Sequence, residues 1–271
     1  MAAVNMATED LGSGTIIEVA APGDILADAA ALADMARDLD RGRILVSRRV
    51  LSPEYVSHLV DYLIGIGRGS FPNWRPLEPG CPNFHRLNWD DERAYVRAAF
   101  HQFSFFPWNQ DVFRIFERLR DAFRLRNHLC GAKENAFLSG VASEGAVARF
   151  SAQFYPCGGG YMNGHVDPVG DFQIVVPILV MSTFGEDFRS GGLWIDTPDG
   201  ARVNIDPHVG PGDIVWFHPQ RPHGVAPIDP EMGLDWPAFR GRWSAILAVN
   251  ALPGSPSRAG VEVEPARPPQ A

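Results

Sequence analysis

The sequence of 271 residues is poor in cysteine and has a single lysine, Lys133. Its three cysteines are odd in number and lack C-x-x-C spacing, which excludes a disulfide scaffold and a zinc ribbon. No apolar run approaches 18 residues and no basic, apolar leader opens the chain, so we expect a cytoplasmic protein without membrane contact. The net charge of -8 argues against a nucleic-acid partner.

The chain changes texture near residue 144. We predict a flexible N-terminal arm over 1–22, one domain over 23–252, and a flexible, proline-rich tail over 253–271. Within the domain, the helical part spans 23–143 and the β-barrel core spans 144–252.

The helical part has three amphipathic segments. Apolar spacing predicts helices over 24–39 and 110–129, and Ser52 followed by Pro53 predicts the start of another. A short strand is expected over 43–50, and the Pro, Gly and Asn content of 69–90 predicts a long loop.

Short β-rich runs alternate with turn residues after residue 144. Strands are predicted over 148–155, 172–181, 192–195, 202–205, 213–217, 223–228 and 242–250. Such regular spacing indicates a sandwich or barrel, and helices followed by strands indicate an α+β fold with helices buttressing a sheet.

One segment, YMNGHVDP, has the spacing of a metal site. His165 and Asp167 lie two residues apart at a strand edge, so both side chains point to one face. His223, at the start of a later predicted strand, supplies a third ligand. Two histidines and one carboxylate form the facial triad of non-haem Fe(II) oxygenases. The alternative is a chance H-x-D in which His165 only caps a turn.

The last apolar strand has Arg242 and Ser244 on one face. A buried arginine needs a carboxylate partner, and this strand contains none. Either a bound dicarboxylate that also chelates the metal, or an ion pair with an acidic loop, would satisfy it.

This order of residues resembles the Fe(II)/2-oxoglutarate-dependent oxygenase superfamily. Tyr155-Pro156, the glycines at 158–160 and Tyr161 are similar to its prolyl-hydroxylase branch, as is LSPEYVSHLVDYL near residue 51. The resemblance implies a double-stranded β-helix, also called a jelly roll, with Fe(II), 2-oxoglutarate and O2 as cofactor and co-substrates.

The resemblance also implies a role for each matching residue. His165, Asp167 and His223 would bind iron, and Arg242 would bind the distal carboxylate of 2-oxoglutarate. Ser244 and Tyr155 would support that carboxylate.

The match has two departures. An insertion, DPEMGLDWPAFR, lengthens the interval before Arg242, and Arg240 shares its strand parity, so the choice between the two arginines stays open. His218 fits the motif's glycine-to-histidine interval less well than His223 does.

The implied reaction is oxidation of a C–H bond, by hydroxylation or oxidative cyclisation. Between His165 and Arg240 lie eleven acids and four arginines, so we expect a small, cationic, aminosugar-like natural product, as in antibiotic biosynthesis. The alternative explanation of this negative charge is that the acidic loops are only solvated. A peptidyl or protein hydroxylase, or a cupin-type enzyme without a co-substrate, is the alternative for the activity.

Overall fold

The computed structural model describes residues 16–141, 145–170 and 172–253. The described chain contains five α-helices: α1 (Pro22–Ala27), α2 (Ala29–Asp40), α3 (Pro53–Gly69), α4 (Ile115–Arg118) and α5 (Arg120–Leu129). Its strands are β1 (Ile16–Val19), β2 (Ile44–Ser47), β3 (Phe84–Trp89), β4 (Ala98–Phe105), β5 (Ala146–Pro156), β6 (Tyr161–His165), β7 (Val176–Val180), β8 (Gly192–Asp196), β9 (Arg202–Asn204), β10 (Ile214–Phe217), β11 (His223–Ala226) and β12 (Gly241–Ala251).

All the strands join one curled sheet. Their order is β1-β2-β10-β7-β12-β5-β4-β6-β11-β8-β9, with β3 pairing β4 beside this path. The two longest strands, β5 and β12, pair antiparallel from Gly241↔Pro156 to Ala251↔Ala146. The sheet has two halves: the larger half runs from β1 to β4 in this order, and the smaller half contains β6, β11, β8 and β9. The halves join where Ala98 and Ala99 of β4 pair with β6. The α+β jelly roll expected from the sequence is confirmed.

Apolar side chains pack against both faces of the larger half of the sheet. Between the halves, buried residues such as Val176, Leu193 and Phe217 form one cluster. Outside, α3 and α5 pack Leu59 and Phe123 against the sheet in a second, larger cluster. The helices therefore buttress the barrel and leave its interior face to the site.

Local capping decides where the predicted helices begin and end. Ser52 caps α3, because its Oγ accepts from Tyr55 N at 3.2 Å, and Pro53 takes the first helical position as predicted. The helix predicted over 24–39 is two helices, because Asp28 caps a new start by accepting from Ala30 N at 2.8 Å.

Three other sequence predictions need correction. Residues 110–114 are not helical, because Asp111 accepts from Phe116 N at 2.9 Å and starts the helix later. The expected loop over 69–90 contains β3, and the arm predicted over 1–22 contains β1, which pairs in parallel with β2. Residues 1–15 and the tail from 254 lie outside the described residues.

The predicted strands after residue 144 all overlap observed ones, with ends shifted by up to four residues. The sequence predictions omit β4 and β6. In the described part of the chain, no helix is both long and apolar enough to cross a membrane.

The turn before β10 ties the barrel to the segment after β2. Gly212 has φ +94°, and a Cβ there would lie 2.0 Å from Leu51 O, so only glycine fits. Next to it, Asp213 is buried and accepts from Arg49 N at 2.9 Å, Gly210 N at 3.1 Å and Arg48 Nη1 at 2.9 Å. One carboxylate therefore satisfies three donors from two segments.

Replacing Asp213 with alanine should lower the free energy of unfolding by about 2–4 kcal/mol, because three donors lose the buried, charged acceptor that they share. Urea denaturation of wild type and variant measures the difference. Asp34→Ala, which removes an exposed carboxylate paired with Arg37, is the control and should cost less than about 0.5 kcal/mol. Equal losses would show that the turn does not depend on Asp213.

Candidate metal centre and its cavity

Strand pairing brings the two predicted histidine ligands together. His165 ends β6 and His223 begins β11, and the two are direct partners in the antiparallel ladder. Asp167 follows β6, and its backbone N–H donates to Pro219 O at 2.9 Å, which holds it beside the start of β11. Residues 58 positions apart in the chain therefore share one end of the barrel.

The carboxylate of Asp167 lies between the two imidazoles. Its Oδ1 is 3.6 Å from His165 Nε2, and its Oδ2 is 3.6 Å from His223 Nε2. Two atoms bound to one ion at about 2.1 Å are at most about 4.2 Å apart, so this spacing suits a shared metal. Among the described residues, this is the group of His, Cys, Asp and Glu side chains close enough to hold an ion.

Backbone carbonyls orient both imidazoles. His165 Nδ1 lies 2.9 Å from Asn163 O, and His223 Nδ1 lies 2.8 Å from Arg221 O. A carbonyl only accepts, so each Nδ1 donates and each Nε2 is left with a lone pair toward Asp167. Burial, followed by the neighbouring His165, lowers the pKa of His223 and favours the neutral ring that a metal needs.

His218 lies outside this group. Its Nδ1 accepts from Gln220 N at 3.2 Å within the turn before β11. The structure thus brings His223, and not His218, to His165 and Asp167, as the motif interval predicts. Metal binding by the three residues stays a prediction.

A cavity of about 330 Å³ opens from the three residues into the barrel. This volume is at the small end of ligand pockets in proteins and suits a small molecule. Its apolar wall comes from both halves of the sheet and includes Phe100, Met162, Val176, Ile178, Leu193 and Val225.

Arg242 lies on the cavity wall and has an acidic partner from outside its own strand, which is one of the two alternatives that the sequence leaves open. Its Nε donates to Asp206 Oδ2 at 2.8 Å, with both side chains buried, so the ion-pair alternative holds. Asp206 Oδ2 also accepts from Leu193 N at 2.6 Å. Gly192, at φ +108°, leaves room for this carboxylate, since a Cβ there would lie 2.3 Å from its oxygen.

The ion pair does not use the whole guanidinium. Arg242 Nη1 donates to Ser244 Oγ at 2.9 Å, but the buried Nη2 has no hydrogen-bond partner among the described residues. An unpaired buried donor is costly, so Nη2 is suited to an acceptor that enters the cavity.

Of the other residues considered for the co-substrate, Tyr155 lines the cavity and Arg240 does not. Tyr155 is buried on the cavity wall, donates to Gln153 Oε1 at 2.9 Å and has its pKa raised by burial. Arg240 lies outside the cavity with Nη2 3.7 Å from Met232 Sδ. The structure therefore places Arg242 and not Arg240 beside the candidate metal centre.

A row of four polar residues lies inside the barrel, and only Ser244 among them was expected from the sequence. Arg86, Gln102, Gln153 and Ser244 are successive cross-strand partners on β3, β4, β5 and β12, and all line the cavity. Arg86 Nη2 donates to Gln102 Oε1 at 2.6 Å. The sequence contains one signal for this row, because the polar residues Arg86 and Asn88 occupy alternate positions of β3. The sequence alone does not show which face of β3 is enclosed by the barrel.

The acids counted in the sequence mostly bind the protein's own groups. Asp167 is the acid that lines the cavity in the described part of the chain. Asp171 lies outside the described residues. Internal donors hold Asp187, Asp196, Asp199, Asp206, Asp213, Asp229 and Asp235.

We expect His223→Ala to weaken Co(II) binding by at least about 100-fold, because it removes one of three converging ligands. Titration of metal-free protein with Co(II), followed by visible absorption, measures the affinity. His218→Ala is the matched control and should leave it unchanged. The reverse pattern would assign the third ligand to His218.

Neutralising the buried partner of Arg242 should destabilise the protein. Asp206→Asn is expected to cost about 3 kcal/mol of unfolding free energy, because it leaves an uncompensated buried charge. Asp196→Asn breaks an ion pair whose Arg202 is 56% exposed and should cost less than about 1 kcal/mol. Denaturant titrations of both variants compare them, and similar costs would contradict the importance of the buried pair.

No protein-family model matches the sequence, and the search of curated proteins finds no match.

The structure is similar to several solved ones. A prolyl-4-hydroxylase from Pseudomonas putida matches at 18% identity and TM-score 0.52, covering 79% of this chain and 96% of its own. A prolyl hydroxylase from Trichoplax adhaerens, solved with a hypoxia inducible factor peptide, matches at 15% identity and TM-score 0.51, with coverage of 84% and 93%. The epimerase SnoN in complex with Fe³⁺, alpha ketoglutarate and nogalamycin RO matches at 11% identity and TM-score 0.52, with coverage of 90% and 97%. This chain has the fold of prolyl hydroxylases and of an epimerase solved with alpha ketoglutarate, as its resemblance to the Fe(II)/2-oxoglutarate oxygenases predicts.

Proposed function

We propose that the protein is an Fe(II)- and 2-oxoglutarate-dependent oxygenase that oxidises a C–H bond of a small molecule. One observation carries this proposal: a His-Asp-His group with converging ligand atoms shares a small cavity with a buried arginine that has a free donor. The similar folds of a prolyl-4-hydroxylase and an alpha-ketoglutarate complex support it.

The donor set fits Fe(II). His165 and His223 offer neutral Nε2 atoms, and Asp167 offers a carboxylate, which is the set typical of non-haem Fe(II) oxygenases. Three protein ligands on one side leave positions for other ligands on the cavity side. When bound, Fe(II) with 2-oxoglutarate supplies O2-driven C–H oxidation, with 2-oxoglutarate converted to succinate and CO2.

The cavity also fits a dicarboxylic co-substrate. Arg242 Nη2 and the Ser244 hydroxyl can both donate to a carboxylate at the inner end of the cavity, while Asp206 holds the guanidinium in place. Because Nε is committed to Asp206, the carboxylate would contact the Nη2 side and not the Nε edge of the fork. Phe100 and Ile178 are apolar residues of the same cavity wall, and they would exclude water from the bound co-substrate.

The alternatives make different demands on these residues. A cupin-type enzyme without a co-substrate has no use for the free donor of Arg242. A peptide substrate is consistent with the two hydroxylase folds, but the cavity volume of about 330 Å³ favours a small molecule. A role in natural-product tailoring is supported by the similar fold of the nogalamycin-bound epimerase.

Succinate formation from 2-oxoglutarate with Fe(II) tests the proposal, in the presence of a panel of candidate small molecules. Arg242→Lys should raise the KM for 2-oxoglutarate about tenfold or more, because lysine lacks the planar set of donors. Arg240→Lys is the matched control and should leave the KM unchanged, since Arg240 lies outside the cavity.

Two results would contradict the proposal. O2 uptake that does not need 2-oxoglutarate would favour the cupin-type alternative. A raised KM in Arg240→Lys but not in Arg242→Lys would assign the carboxylate to the other arginine.

A further inference from the structure

Arg86 is a second arginine on the cavity wall, and the proposed reaction gives it no role. It lies in the middle of β3 and is half-buried. Nη2 donates to Gln102 Oε1 at 2.6 Å, while the buried Nε has no hydrogen-bond partner among the described residues. No described carboxylate lies within ion-pair distance of it. A guanidinium enclosed in this way is costly unless an acceptor joins it.

The charges around Arg86 increase this cost. Burial lowers its pKa, Asp91 raises it and Arg93 lowers it again. Asp91 is already held by Arg93, through Nε–Oδ1 at 2.8 Å and Nη2–Oδ2 at 2.6 Å. Burial, and after it the charge of Arg86, lowers the pKa of Arg149 to about 10. Arg149 Nε is also buried without a partner among the described residues. Asp91 is therefore committed to Arg93, and neither Arg86 nor Arg149 has an ion-pair partner among the described residues.

Arg86 is distinct from the arginine assigned to the co-substrate. Arg86 lies on β3 in line with Ser244 on β12, with β4 and β5 between them. Three strand spacings of about 4.8 Å separate these backbones by about 14 Å along the sheet. Phe100 and Tyr155 occupy the neighbouring row between the two arginines, with ring centroids 5.3 Å apart. The two guanidiniums therefore come from different strands and from different rows of the cavity wall.

We propose that Arg86 is the anchor for a carboxylate of the primary substrate, which is therefore an organic acid; this rests on the proposed oxygenase function. The guanidinium is presented inside the same cavity as His165, Asp167 and His223. Gln102 orients it, because Gln102 Nε2 in turn donates to Ser104 Oγ at 3.1 Å. A carboxylate bound to this guanidinium would compensate its charge and place the rest of the acid along the cavity.

This inference opposes the cationic substrate expected from the acidic residue count. Aside from Asp167, the charged side chains that line the cavity in the described part of the chain are three arginines, Arg86, Arg93 and Arg242. The exposed carboxylates of the loops mainly accept hydrogen bonds from donors of the protein itself. Away from the candidate metal centre, the cavity wall therefore carries positive charge.

Binding of three compounds with one skeleton tests the inference. The probes are 4-fluorophenylacetate, 4-fluorophenylacetamide and 4-fluorophenethylamine, each titrated by ¹⁹F NMR into Zn(II)-loaded protein, with and without 2-oxoglutarate. We expect the acid to bind at least tenfold more tightly than the amide and the amine. Arg86→Gln should weaken the acid at least tenfold, and Arg86→Lys should weaken it less because the charge is kept.

Arg97→Gln is the matched control, because Arg97 is 69% exposed, pairs with Asp90 and does not line the cavity. It should leave acid binding within twofold. Thermal unfolding of each variant confirms that it is folded, and calorimetric titration with 2-oxoglutarate gives co-substrate affinity. Arg86→Gln should change that affinity less than threefold.

Several results would overturn the inference: acid binding that survives Arg86→Gln, tighter binding of the amine, or no preference for the acid. Loss of 2-oxoglutarate binding in Arg86→Gln would also overturn it, by assigning Arg86 to the co-substrate. If wild-type protein binds neither Zn(II) nor 2-oxoglutarate, the proposed function fails. Arg86-dependent binding of the acid alone would still support the anion site.

Discussion

The direct pairing of His165 with His223 across β6 and β11 is the constraint on which the site depends. Antiparallel neighbours have their side chains on one face, so the register that pairs these residues also brings their rings together. A slip of one residue would turn one ring away from the cavity. The bond from Asp167 N to Pro219 O places the third side chain beside the same pair. The barrel can therefore vary its loops while the ladder preserves this geometry.

A second constraint is the cost of arginines inside the barrel. Arg242 is buried at the cavity wall, and its charge is compensated by Asp206, which in turn needs the space that Gly192 leaves. Arg86 receives only a neutral acceptor, from Gln102. Replacing an uncompensated charge by an apolar residue is often stabilising, so keeping it there calls for a functional reason. The two arginines differ in this respect although both line one cavity.

How much the sequence predicts depends on whether the signal is local. The spacing of His165 and Asp167 is a local pattern, as are the strands from β5 onward other than β6, and the structure brings the expected side chains together. The partner of Arg242 is 36 residues away and depends on the path of the chain, so the sequence left two alternatives. Gln102 and Arg86 were missed because β3 lies in a segment that was expected to be a loop and β4 was not predicted, and only barrel closure shows that these two positions face inward.

A count of charges along the sequence has the same limit in electrostatic terms. A sum of charges over a segment weighs each residue equally, whereas screening in water weakens an exposed charge within about 8–10 Å. Asp229 accepts from Arg189 N and Ser190 N, so its charge acts mainly on its own loop. A half-buried guanidinium such as that of Arg86 is screened less and faces the ligand directly. A single charge at the wall thus outweighs several on the loops, and the sign of the cavity follows from its lining residues.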